Sequence, residues 1–74
     1  MTNLERLKLE LANKDYFTDA EFTVFLEENG LKSDDTYNKT ENQLELLQTV
    51  LAIFQALINN IELDITMRQS RLSD

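Results

Sequence analysis

Apolar side chains in the second half of this chain recur in steps of three and four. Leu44, Leu47, Leu51, Phe54, Ile58, Ile61 and Ile65 keep the period of a coiled-coil seam for three heptads. Leu46, Val50, Ile53 and Leu57 make a second row beside it. At about 100° per residue the two rows together take roughly half of the helix circumference, wider than the stripe of ~100° on a typical surface helix. The remaining side carries Gln48, Ala52, Gln55, Ala56 and Asn59. Residues 46–61 (LLQTVLAIFQALINNI) hold no charged side chain in a chain that is 28% charged. A helix neutral all round needs to be enclosed. The pattern therefore predicts a long helix over residues 40–61 whose surface is shared between the chain's own core and a partner. Leu46, Val50, Ala52, Ile53, Ala56, Leu57 and Ile61 are the candidate interface, with Ala52 and Ala56 one turn apart and small enough for another helix to approach closely.

Two shorter helices precede it. The first is predicted over residues 4–13, with Leu4, Leu7 and Leu11 on one face, Asn3 as N-cap and Leu9 pointing elsewhere. Leu9 is either a harmless exposed leucine or a contact for a second molecule. The second helix, residues 19–29, has the strongest local signals. Thr18 to Glu21 (TDAE) reads as a capping box, and Phe17 and Phe22 have the spacing of a hydrophobic staple. At its end Gly30 suits the left-handed conformation, which folds Leu31 back onto Leu26 in a Schellman closure. Phe22, Phe25 and Leu26 are expected inward, and Tyr16, Phe17, Phe22 and Phe25 are expected to lock the first helix against the second.

Residues 31–39 are polar and turn-like, with Tyr37 as the large apolar group that pins the loop to the core. Thr40 to Gln43 (TENQ) matches a second capping box and predicts where the long helix starts. In the tail, residues 62–74, apolar and polar positions alternate from Ile61 to Arg68 as in a strand, while the heptad continues through Ile65. Fraying helix and extended arm are equally compatible with that stretch, and an extended arm would suit strand addition to a neighbour. The fold class is all-α: one three-helix domain, with two short helices packed on one long C-terminal helix. A helix from 40 to 65 is about 39 Å long, and a compact domain of this size is roughly 29 Å across. The long helix should overhang its own bundle.

Composition narrows the function. The 74 residues include neither cysteine nor histidine, which removes disulfides, structural zinc and the usual general base. The serines, Ser33, Ser70 and Ser73, lie in a loop and the tail with no base to activate them. The acidic pairs Glu27-Glu28 and Asp34-Asp35 lack the alternating ligand pattern of a calcium loop. No catalytic, cofactor-binding or metal-binding residue is nominated, and the chain is not read as an enzyme. The net charge of −7 disfavours direct nucleic-acid binding, and residues 1–37 carry nine of the fourteen acidic side chains. The N-terminus is charged within five residues and lacks the apolar stretch of an export signal. The neutral run is shorter than the ~20 residues of a bilayer span. The expectation is a bacterial cytoplasmic protein, or a virion component, with a protein partner or self-association and no membrane.

Three segments carry a family resemblance: MTNLERLKLEL at the start, KDYFTDAEFTVFLEENGL over residues 14–31, and Tyr37 followed by NQLELLQTV. They resemble small helical proteins encoded among the head-assembly genes of tailed bacteriophages and prophages, of the head-tail connector (adaptor) kind. The similarity covers residues 1–60 and is one of texture, an acidic and aromatic second helix followed by a long apolar one, without a diagnostic motif. It implies an all-helical, non-enzymatic structural protein that works in many copies beside a phage portal or tail component, and it transfers no functional residue. The alternative expectation is a small acidic regulatory binder: an antirepressor, an antitoxin-like partner or a DNA mimic.

Overall fold

Thr2, not Asn3, opens the first helix. In a computed structural model, which describes the backbone of residues 1–72 and the side chains of residues 1–61, α1 runs Asn3–Glu10 with Thr2 as N-cap. The Thr2 hydroxyl accepts from the Glu5 N–H at 3.2 Å, and the Glu5 carboxylate accepts from the Thr2 N–H at 2.8 Å. Asn3 is instead fully buried, and its side-chain amide donates to the Lys32 carbonyl at 2.8 Å. The backbone N–H groups of Asn3 and Leu4, orphans of the first turn, donate to the carbonyls of Asp35 and Ser33. The loop that carries Lys32 to Thr36 thus closes over the start of α1, held also by an isolated antiparallel bridge between Thr2 and Thr36.

The first helix also ends earlier than residue 13. Ala12 and Asn13 both take left-handed backbone angles, φ 55° and 57°. The N–H of Asn13 then reaches the Lys8 carbonyl and that of Ala12 the Leu9 carbonyl, the paired bonds of a Schellman closure.

Helix α2, Asp19–Glu28, forms as its signals require. Thr18 and Glu21 exchange the two capping-box bonds at 2.9 and 3.2 Å. The Phe17 ring stands edge-on to Phe22 at 6.1 Å and lies 5.2 Å from Phe25. At the far end Gly30 sits at φ +83°, with Leu31 N–H on the Leu26 carbonyl at 2.9 Å and Gly30 N–H on the Glu27 carbonyl at 3.0 Å. Tyr16 departs from the expected α1–α2 lock. Its ring packs edge-on against Phe54 at 6.4 Å, so it ties the interhelical turn to the long helix.

That helix, α3, runs Lys39–Leu72. It starts two residues earlier than the TENQ match implies because Asn38, not Thr40, acts as the cap, accepting from the Thr40 N–H at 3.0 Å. It continues past residue 61 as helix, so the extended-arm alternative is not taken up over the described backbone, and residues 73–74 lie outside it. Asn59 fails to stop it because Gln55, one turn earlier, donates to the Asn59 amide oxygen at 3.1 Å. No proline or glycine follows Gly30, and adding a residue to an existing helix is cheap compared with starting one.

The three helices all touch one another around a core of Leu7, Leu11, Phe22, Leu26, Leu31, Leu46 and Ile53, with Leu4, Phe17, Phe25, Tyr37, Val50 and Leu57 packed at its margin. The Arg6 guanidinium lies over the Tyr37 ring at 5.4 Å, and Lys8 bonds Asp19 across the α1–α2 contact at 2.7 Å. The molecule measures 53 × 19 × 18 Å, with a radius of gyration of 15.2 Å where a compact chain of this length would have about 11 Å. The overhang expected from helix length is present: among the described side chains, α3 packs into the core between Leu46 and Leu57.

Candidate interaction surface

Helix α3 meets α1 and α2 through the second apolar row. Leu46 and Ile53 are completely enclosed, Val50 and Leu57 sit at the core margin, and between them Thr49 is fully buried with its hydroxyl donating to the Glu45 carbonyl at 2.8 Å. This corrects the interface expectation at two positions. Leu46 and Ile53 belong to the intramolecular core and no partner reaches them without opening the bundle. Val50, Leu57, Ala52 and Ala56 are half-buried, and Ile61 is exposed. Thr49 was missed in the sequence because a polar residue breaks an apolar row. Its bond to a carbonyl one turn back makes it the polar equivalent of a valine there.

The heptad seam lies on another face. Leu44, Leu47, Leu51, Phe54, Ile58 and Ile61 are each between 40% and 70% exposed. At about 100° per residue the middle of this seam stands ~110° around the helix from the middle of the enclosed row. A bundle of two short helices covers one side of α3, so the other row stays in water. Phe54 is the least exposed of the six because Tyr16 leans on it.

The flanks of the seam are neutral. Gln48 and Gln55 border it on one side and the half-buried Val50 and Leu57 on the other. A contiguous row of six large apolar residues along one helix exceeds the scattered single exposures that a soluble surface ordinarily shows. The carboxylates lie elsewhere: Asp19, Glu21, Glu27 and Glu28 are exposed on α2. Two glutamates have perturbed acidity. Hydrogen bonds from the Thr2 backbone and then its hydroxyl hold Glu5 below the ordinary glutamate range, and the equivalent bonds from Thr18 do the same for Glu21. Both effects come from capping and point to no chemistry. Among the described residues no group of three or more acidic side chains is placed to hold a metal ion.

No family model, curated protein or solved structure matches this chain. The surface itself has to carry the functional reading.

Helix α3 is longer than the neutral run within it. The stretch Lys39–Ile61 is long and apolar enough, by length and composition, to cross a membrane. Two features set it apart from an ordinary span. It contains Gln48, Gln55, Asn59 and Asn60, whose amides are costly in hydrocarbon, and one of its faces is already occupied by α1 and α2, which carry Glu5, Glu10, Asp19, Glu21, Glu27 and Glu28.

Proposed function

We propose that this chain is a non-enzymatic structural protein of phage or prophage origin, a subunit of the head-tail connector kind that acts by protein–protein association. The observation that carries the association is the exposed seam of α3 on a helix that outruns its own bundle. The phage assignment rests on the resemblance of residues 1–60 to small connector proteins. A structural subunit needs a stable, specific contact surface and no catalytic group, and the seam supplies such a surface.

The test has two arms. Genes for portal, capsid and tail proteins should flank the coding sequence. The purified chain should comigrate on a sizing column with the portal or tail protein encoded beside it, and Leu51→Asp should abolish that comigration. A genomic context without head or tail genes, together with no binding to such proteins, would overturn the phage reading.

One observation favours a second reading, a small acidic regulatory binder. Glu27 and Glu28 occupy the last turns of α2, where no basic residue answers the negative end of the helix dipole. A locally unfavourable placement of charge is what a carboxylate surface kept for a basic partner would show. The double change Glu27→Lys with Glu28→Lys separates the readings. It leaves a connector's association intact, whereas it removes the binding of an acidic mimic, which also weakens steeply with salt.

A further inference from the structure

The occupant of the exposed seam can be specified further, resting on the association reading above. We propose that Leu44, Leu47, Leu51, Phe54, Ile58 and Ile61 pair with the same six residues of a second copy of this chain, as a two-stranded parallel coiled coil with the α1–α2 lobes on opposite sides.

Four observations lead there. The seam repeats every three and four residues, the spacing that keeps one helix facing another through a supercoil. A lipid surface would require no such register. Along the middle of the seam, from Leu47 to Ile58, the flanks bring no charge to the junction: Gln48 and Gln55 on one side, Val50 and Leu57 on the other, so two copies meet there without like-charge repulsion. The exposed area also matches. The chain presents 5461 Å² to solvent, against about 4,700 Å² for a compact monomer of 8.6 kDa. That surplus of ~750 Å² belongs to the drawn-out α3 as a whole, of which the seam is one part, and is of the order of the ~800 Å² that each partner contributes to a standard interface. Finally, the lobe packed on Leu46, Val50, Ile53 and Leu57 occupies one flank of the seam. The large apolar side chains left in water form a single row, which suits one neighbouring helix better than the two that each helix touches in a trimer or tetramer.

Orientation follows from the same ~110° offset between seam and lobe. A twofold axis along the helices places the two lobes on opposite faces of the pair. An antiparallel arrangement has its twofold axis across the helices and sets both lobes side by side on one face. Residues 1–37 carry nine acidic and four basic side chains, so the parallel arrangement keeps two negative lobes apart.

The measurement is absolute mass by light scattering on the full chain over two decades of concentration, at low and high salt. The expected result is twice 8.6 kDa, persisting in high salt. Leu51→Asp, and the milder Leu51→Gln, should weaken pairing about a hundredfold or more with helix content retained, because Leu51 is 70% exposed in the single chain. Since the chain has no cysteine, Leu44→Cys reports orientation. Parallel copies oxidise to a disulfide-linked pair, whereas antiparallel copies about the middle of the seam hold residue 44 beside residue 61 of the other copy, some 26 Å from residue 44. Cross-linking only between mixed Leu44→Cys and Ile61→Cys chains overturns the parallel arrangement. A folded monomer at every concentration overturns self-pairing, as does a mass of three or more chains, or a monomer that floats with neutral phosphatidylcholine vesicles. A monomer that still binds a portal or tail protein refutes only this inference and leaves the connector reading standing.

Discussion

At the scale of single residues, backbone conformation decides more than side-chain identity suggests. Ala12 closes α1 at φ 55°, a region where a Cβ costs ~1–2 kcal/mol. Ala12→Gly should therefore stabilise the fold by about 0.5–1 kcal/mol, the relief being partly offset by the greater freedom of glycine when unfolded. Gly30 is the converse case. A Cβ there would meet nothing within 4 Å, and only the φ of +83° opposes it, so Gly30→Ala should cost about 1 kcal/mol without disturbing packing. Urea titration checks both, as a shift of midpoint at constant slope. Asn3 shows where residue-level reading went astray. As an asparagine ahead of an apolar stripe it reads as a cap, yet its amide is buried against the Lys32 carbonyl. Asn3→Ala should cost about 1 kcal/mol, since it removes one hydrogen bond from the Lys32 carbonyl, which keeps the Asp35 N–H at 3.2 Å.

At the scale of elements, the two capping boxes tie helix starts to pH. Glu5 and Glu21 have folded-state acidities shifted below the ordinary glutamate value, chiefly by the backbone N–H groups of Thr2 and Thr18. A depressed carboxylate stabilises the fold fully above its unfolded pKa and loses that contribution as pH falls through the folded one. Melting temperature should thus be insensitive to these groups at neutral pH and decline below about pH 4.5, the unperturbed glutamate value. In the variant with Glu5→Gln and Glu21→Gln, whose amides can still reach the cap, that decline should be shallower, as read from thermal melts across the acid range. Helix α2 matched its local signals because Thr18, Glu21, Gly30 and Leu31 act within a few residues of one another. The end of α3 was open in the sequence for the opposite reason. Alternation after residue 61 and the Asn59-Asn60 pair argued for a stop, but the Gln55–Asn59 bond and the low cost of extending a formed helix carry it to Leu72.

At the scale of the whole molecule, one helix serves two clients. The row at Leu46 and Ile53 holds the bundle together, and the row at Leu51 and Ile58 faces outward. Ile53→Asp should unfold the chain outright, because it places a carboxylate in a sealed apolar core, while Leu51→Asp should leave the circular dichroism of the single chain unchanged. If folding and pairing are linked through α3, melting temperature should rise with protein concentration, and the Leu51→Asp variant should show no such rise. Hydrophobic periodicity and local capping signals by themselves determined that this chain is all-α, that it has two short helices and one long one, and that the long helix bears more apolar surface than the chain can cover. Those properties depend on residues close in sequence, whose spacing can be read directly. Which apolar row turns inward was left to the tertiary structure. Both rows are equally apolar along the chain, and the choice falls on the one whose neighbours, Leu7, Phe22 and Leu26, can close over it while the loop after α2 seals the start of α1.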